Sequence, residues 1–184
     1  AFHGVLGPLL LPLRTWSMEP MERGVRRLER TLPPMDALFG HTYVVVSMPS
    51  FLPLSYALTL RLEALARAPG GWGDRPLPRV RLLGTALGPV DVERPDERTL
   101  RLRAEGGLLD DLFGHLLRGA DHPLRPGEEL HLTGLSILVE DATADGRPKL
   151  ARFRFDVPLE DGSLLWQTWT PRGMATFTPQ IGRA

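Results

Sequence analysis

Hydrophobic residues follow a different period in each part of this chain. The first 13 residues, AFHGVLGPLLLPL, carry no charge and no regular spacing. From Met21 the apolar side chains return at steps of four, three and four, through Val25 and Leu28 to Leu32, while Arg23, Arg26, Arg27 and Arg30 fill the other sides. This spacing predicts an amphipathic helix stopped by Pro33 and Pro34. HTYVVVSMP then supplies a continuous β-branched and aromatic run from Thr42 to Ser47, the pattern of a strand covered on both faces. In PLSYALTLRLEALARAPGG, Leu54, Leu58, Leu62 and Leu65 form one helical stripe with Tyr56 and Leu60 beside it, and Pro69-Gly70-Gly71 ends it. A second strand is expected at Arg79 to Gly84. Strand, helix and strand in this order make a βαβ unit, which predicts two parallel neighbours joined by a right-handed crossover.

From Pro89 the period shortens to two. VDVER and RTLRLR flank Pro95-Asp96-Glu97 and read as a hairpin with Arg101 and Arg103 on its wet face. GGLLDDLFGHLLRG reads as a short amphipathic helix or a helical lid. ELHLTG, LSILVEDA, KLARFRFD and SLLWQTW are four further strands, divided by Gly134, by residues 144–148 and by Glu160-Asp161-Gly162. Arg152 and Arg154 alternate with Phe153 and Phe155, so the phenylalanines face inward. TPRGMATFTPQIG adds an edge strand. The fold class expected is therefore α+β, or mixed α/β: an N-terminal helix, a βαβ unit, then a small antiparallel β barrel or sandwich. Residues 1–34 hold the apolar segment and basic helix, 35–88 the βαβ unit and 89–184 the β-rich module; the short join near Gly84 to Pro89 allows the last two to share a core.

At 184 residues and 42% hydrophobic, the chain is large and apolar enough for a buried core. Its 22 basic and 22 acidic residues cancel, which disfavours capture of nucleic acid by bulk charge. All the basic residues but Lys149 are arginine. The absence of cysteine excludes disulfides, thiolate catalysis and cysteine-rich zinc sites, without choosing a compartment. His3, His41, His115, His122 and His131 show no HxH or HxxxH spacing.

The opening run is too short to cross a bilayer alone, since a spanning helix needs about 20 apolar residues, and it contains Pro8 and Pro12. It lacks the basic start and cleavage site of a signal peptide. Two readings remain: a buried N-terminal segment, or the trailing end of a membrane helix, which the start at Ala1 without methionine fits. Trp16 and the basic helix that follows suit a membrane surface; a packed surface helix with a solvated face is the other reading, and Glu22 and Glu29 dilute the basic signal.

Candidate chemistry is sparse. Ser47 and Ser50 sit in the SMPSF loop at the carboxyl end of the first strand, where α/β sheets bind ligands, but Pro49 and Pro53 replace the glycines of a phosphate cradle. Ser50 reads as a helix N-cap and Ser47 as a strand-end hydroxyl. No GxSxG elbow is present, and His41 and Asp36 stand at the strand's opposite end. The carboxylate pairs Asp110-Asp111, Glu128-Glu129, Glu140-Asp141 and Glu160-Asp161 read as solvated, because neighbours on a strand point to opposite faces. Trp72, in GGWGDRP, is a candidate contact residue or a plug; Trp166 and Trp169 are expected on opposite faces of a strand, one in the core and one outside. Arg101, Arg103, Arg152 and Arg154 make a basic surface only if their strands adjoin and the interspersed acids do not cancel it. No catalytic residue, metal ligand or cofactor is assigned.

The run from VRLLG through VDVERPDERTLRLRAEGGLL to LRPGEELHLTGLSILVEDATADGRPKLARFRFDVPLEDGSLLW resembles the carboxy-terminal soluble region of uncharacterised multi-spanning bacterial membrane proteins. The likeness spans residues 40 to 170 and rests on strands and turns; SMPS departs from the asparagine-like loop that the family implies. The resemblance implies attachment to a bilayer and brings no activity or functional residue with it. Under it, residues 1–13 become the exit of a final membrane helix, Arg14 its interfacial anchor and the helix around Val25 a collar on the lipid. The function expected is a non-catalytic extramembrane domain of a larger integral membrane protein, contacting a partner or positioning the membrane portion, and membrane-associated on a side the sequence does not specify. Its partners would be the membrane or the membrane-embedded part of the same protein, and a protein partner, not nucleic acid. A soluble hydrolase-like enzyme with its site above SMPSF, and a free-standing interaction module, are the alternatives.

Overall fold

The computed structural model describes residues 23–50, 52–71, 73–110 and 122–180, with the backbone of 182–183. Three helices, α1 (residues 23–31), α2 (Met35–Leu38) and α3 (Leu52–Arg67), cover one face of a four-stranded sheet. That sheet runs in the order β2-β1-β8-β9, from β1 (Thr42–Val45), β2 (Arg79–Leu82), β8 (Leu164–Thr170) and β9 (Gly173–Thr176). Its other face packs on a second, six-stranded sheet ordered β10-β3-β4-β7-β6-β5. The members are β3 (Asp91–Asp96), β4 (Thr99–Arg103), β5 (Glu129–Leu132), β6 (Leu135–Ala142), β7 (Pro148–Phe155) and β10 (Gly182–Arg183). The fold is α+β, with layers of helix, mixed sheet and antiparallel sheet. Of barrel and sandwich it takes the sandwich, since neither sheet closes on itself.

β1 explains the layering. Tyr43 and Val45 point into the helical side, among Leu28, Leu38, Leu54 and Leu58, while Val44 and Val46 point toward the second sheet, among Leu102, Phe153 and Phe155. With apolar neighbours on both faces, the strand has no use for alternation. β1 and β2 are parallel neighbours connected through α3, as the βαβ spacing predicts. On α3 only the first part of the expected stripe is buried, at Leu54 and Leu58 together with Ala57; Leu62 and Leu65 are half-buried, and Tyr56 and Leu60 are exposed.

The β-rich part is not confined to the second sheet. β8 returns to lie parallel to β1 on the side away from β2, with Thr42 opposite Leu164, and β9 forms the edge beyond it. Residues 89–184 thus supply half the strands of the sheet begun in 35–88. Within the second sheet the expected hairpin is β3–β4, and Phe153 and Phe155 face inward with Arg152 and Arg154 exposed. Trp166 fills the space between the sheets, its ring edge-on to Phe155 at 5.2 Å and its Nε1–H donated to the Leu159 carbonyl at 2.8 Å. Trp169 faces the helical layer, half-buried against that core, so both tryptophans pack where one was expected outside.

Candidate functional site

The segment leading into the domain is held by α1. Leu28 and Leu32 of the expected stripe are buried, Val25 is half-buried, and Met21 lies outside the described residues. The helix is locked by polar contacts as well. Arg27 Nη1 donates to the Pro171 carbonyl at 2.5 Å, and the Thr31 hydroxyl accepts the Met174 N–H at 2.9 Å. Gly173 permits this approach: its φ is +119°, and a Cβ there would stand 2.6 Å from Thr31 Oγ1. From the other side, Arg61 on α3 donates to the carbonyls of Glu29, Leu32 (3.5 Å) and Pro33 (2.7 Å). A cation forked over the last carbonyls satisfies acceptors that the helix end leaves open. The apolar side of α1 is therefore packed, while Arg23, Arg26, Arg27 and Arg30 are exposed. The run 1–13 lies outside the described residues.

The loop after β1 is woven into backbone pairing. Met48 N–H donates to Gly84 O at 3.3 Å, Ala86 N–H to Met48 O at 3.1 Å and Trp169 N–H to Ser47 O at 3.0 Å. Strand-end groups in a ligand-binding crevice are open to a ligand; here the neighbouring strands use them. The Ser50 hydroxyl accepts the Leu52 N–H at 3.4 Å, as an N-cap does. His41 Nδ1 lies 3.0 Å from the Phe39 carbonyl, and Asp36 pairs with Arg75 at 2.7 Å. None of these contacts joins the serines to a histidine or an acid.

The carboxylate pairs are engaged singly. Glu140 bridges two arginines, accepting from Arg101 at 2.6 and 2.9 Å through one oxygen and pairing with Arg152 through the other. Arg101 also meets Glu93 at 2.9 Å. These contacts hold the Arg101 guanidinium above its ordinary pKa, the Glu140 hydrogen bond being the largest cause. β4 and β7 do adjoin, with Arg101 opposite Arg152, and Glu93 and Glu140 neutralise that pair, while no ion pair with either acid reaches Arg103 or Arg154 among the described residues. Asp110 pairs with Arg147, Glu160 with Arg94, and Asp161 accepts the Ser163 N–H at 2.8 Å. Glu128 accepts the Arg125 N–H at 3.1 Å, and Glu129 lies 3.9 Å from His131. Among the described residues no three of His, Cys, Asp and Glu are placed to hold a metal ion.

A cleft of about 350 Å³ opens beside the β3–β4 hairpin, lined in part by Asp91, Arg103, Glu105 and Asp110. Glu105 is paired with Lys149 at 2.8 Å, as Asp110 is with Arg147. Trp72 lies outside the described residues, as do residues 111–119 of the expected helix or lid at 106–119; its first residues, 106–110, form turns instead of a helix, with Leu108 buried in the core between the sheets. Sequence reasoning missed Arg61, Arg94 and Thr31, each of which has a partner distant in sequence, 28, 85 and 143 residues away respectively. Arg94 is buried although charged, and donates to Asp96 O at 3.1 Å and Pro179 O at 2.8 Å besides pairing with Glu160. No signal along the chain marks it out.

The chain was compared with family models, with curated proteins and with solved structures, and nothing matches in any of the three.

Proposed function

We propose that this chain is a non-catalytic extramembrane domain that lies against a membrane, docked there through α1 and the apolar run before it. The observation that carries the reading is the division of α1. Its apolar stripe and polar contacts through Arg27, Thr31 and Arg61 fasten it to the domain. That leaves Arg23, Arg26 and Arg30 exposed, separated from the uncharged run 1–13 by residues 14–22, which include Arg14, Glu19 and Glu22. An arginine-bearing face beside apolar residues suits an anionic lipid surface, where each cation adds about 1 kcal/mol at low salt. Among the described residues no helix is long and apolar enough to cross a membrane, so the apolar contribution is assigned to residues 1–13. Tyr56 and Leu60, exposed one turn apart on α3, favour a second reading in which the domain also binds a protein partner.

The test is sedimentation of the full chain with vesicles of phosphatidylcholine alone and of phosphatidylcholine mixed with phosphatidylglycerol. Retention is expected on the anionic vesicles, weakened by salt. It should be reduced by Arg23→Gln/Arg26→Gln/Arg30→Gln, and separately by Leu10→Glu in the apolar run. Equal recovery in the supernatant with both vesicle types would remove the reading.

A further inference from the structure

β2 differs from the strands beside it. On β1 and β8 the face turned toward the second sheet packs Val44, Leu164 and Trp166 into the core, with Thr42 and Thr168 as its polar members. The matching positions on β2, in register with Thr42 and Val44, are Arg79 and Arg81, while Val80 and Leu82 pack on the helical side. Two cations two residues apart therefore enter the mouth of the gap between the sheets. There they line a groove of about 120 Å³ with Thr42, Thr133, Ser163 and Asp156. Arg81 Nη2 donates to the Thr133 carbonyl at 3.1 Å. Neither arginine makes an ion pair among the described residues. Burial, and then the charge of Arg79, lower the proton affinity of Arg81. An inward charge on an edge strand deters pairing with another sheet, but that role needs one arginine and no hydroxyl-bearing walls.

We propose that this groove between β2 and the β5–β6 turn binds a phosphate group, held by the guanidinium groups of Arg79 and Arg81. Arginine forks match the oxygens of a phosphate, and Thr42 and Thr133 line the groove beside them, while the Ser163 hydroxyl is held by Asp161. Asp156, the acid lining the groove, opposes the anion and limits its affinity. The chemistry is that of a phosphate free in solution or at the head of a lipid. The proposal is independent of the membrane reading: β2 and β9 are opposite edges of the sheet, and α1 is fastened at β9.

Two arms test it on the full chain at constant ionic strength in chloride. In the first, inorganic phosphate is titrated and followed by ³¹P line broadening. Saturable binding is expected, about tenfold weaker in Arg79→Gln/Arg81→Gln and tighter in Asp156→Asn, with circular dichroism unchanged. In the second, vesicles of phosphatidic acid in phosphatidylcholine are compared with phosphatidylcholine alone. Retention lost in the same double variant assigns the site to a lipid phosphate; phosphate binding without such retention assigns it to a soluble one. Absence of binding in both arms, or equal affinity in the natural chain and the double variant, overturns the proposal. Should the double variant fail to fold, Asp156→Asn decides: unchanged phosphate affinity overturns it too.

Discussion

Thr31 Oγ1 accepts the backbone N–H of Met174 at 2.9 Å while lying 2.8 Å from the carbonyl of Arg27, so one hydroxyl joins the first described helix to the last strand of the four-stranded sheet. The pair is separated by 143 residues, and the contact closes the helical layer over the β8–β9 turn.

Thr31→Val keeps the shape of the side chain and removes the acceptor, which leaves the Met174 N–H without its partner. A loss of about 1–2 kcal/mol is expected in urea denaturation. Gly173→Ala should cost more, because its φ of +119° strains an alanine and the new Cβ meets Thr31. The order of the two losses is the check; a Gly173→Ala midpoint equal to that of the natural chain would show that the seam is looser than described.

Arg94 and Glu160 govern the response to acid. Arg94 holds Glu160 below the ordinary carboxylate range, and backbone N–H and hydroxyl donors do the same for Asp96, Asp145 and Asp161. A carboxylate with a depressed folded pKa contributes stability that is present above its unfolded value, about 4, and lost as pH falls through the folded value. The melting temperature should therefore hold from pH 7 to about 5 and fall below about 4. Glu160→Gln should melt lower at neutral pH and converge with the natural chain in acid. Arg94→Met also orphans the Asp96 and Pro179 carbonyls, and is expected to cost on the order of 2–3 kcal/mol.

Arg61 is a helix-ending residue supplied from another helix. Arg61→Ala should lower stability by about 1–2 kcal/mol, and Arg61→Lys should recover only part, since an ammonium cannot fork over three carbonyls. Hydrogen exchange localises the effect: the amides of 23–31 should lose protection before those of β1. Uniform loss across both sheets would contradict a capping role.

The local parts of this fold were readable from spacing alone. Val44 and Val45 announce a strand buried on both faces, Leu54 and Leu58 the helix beside it, and Phe153 and Phe155 the inward side of β7, because each element's period records which of its faces meets apolar neighbours. Of the candidate chemistry, the capping role of Ser50 was legible in the same way. The partners of each element were not. That β8 lies against β1, that α1 is fastened at Gly173, and that Arg79 and Arg81 turn into the gap between sheets are pairings between distant segments. Sequence periodicity sets a face's polarity; only the packed layers decide what that face meets, since strand pairing and burial are satisfied by the assembled chain and not by any one stretch of it.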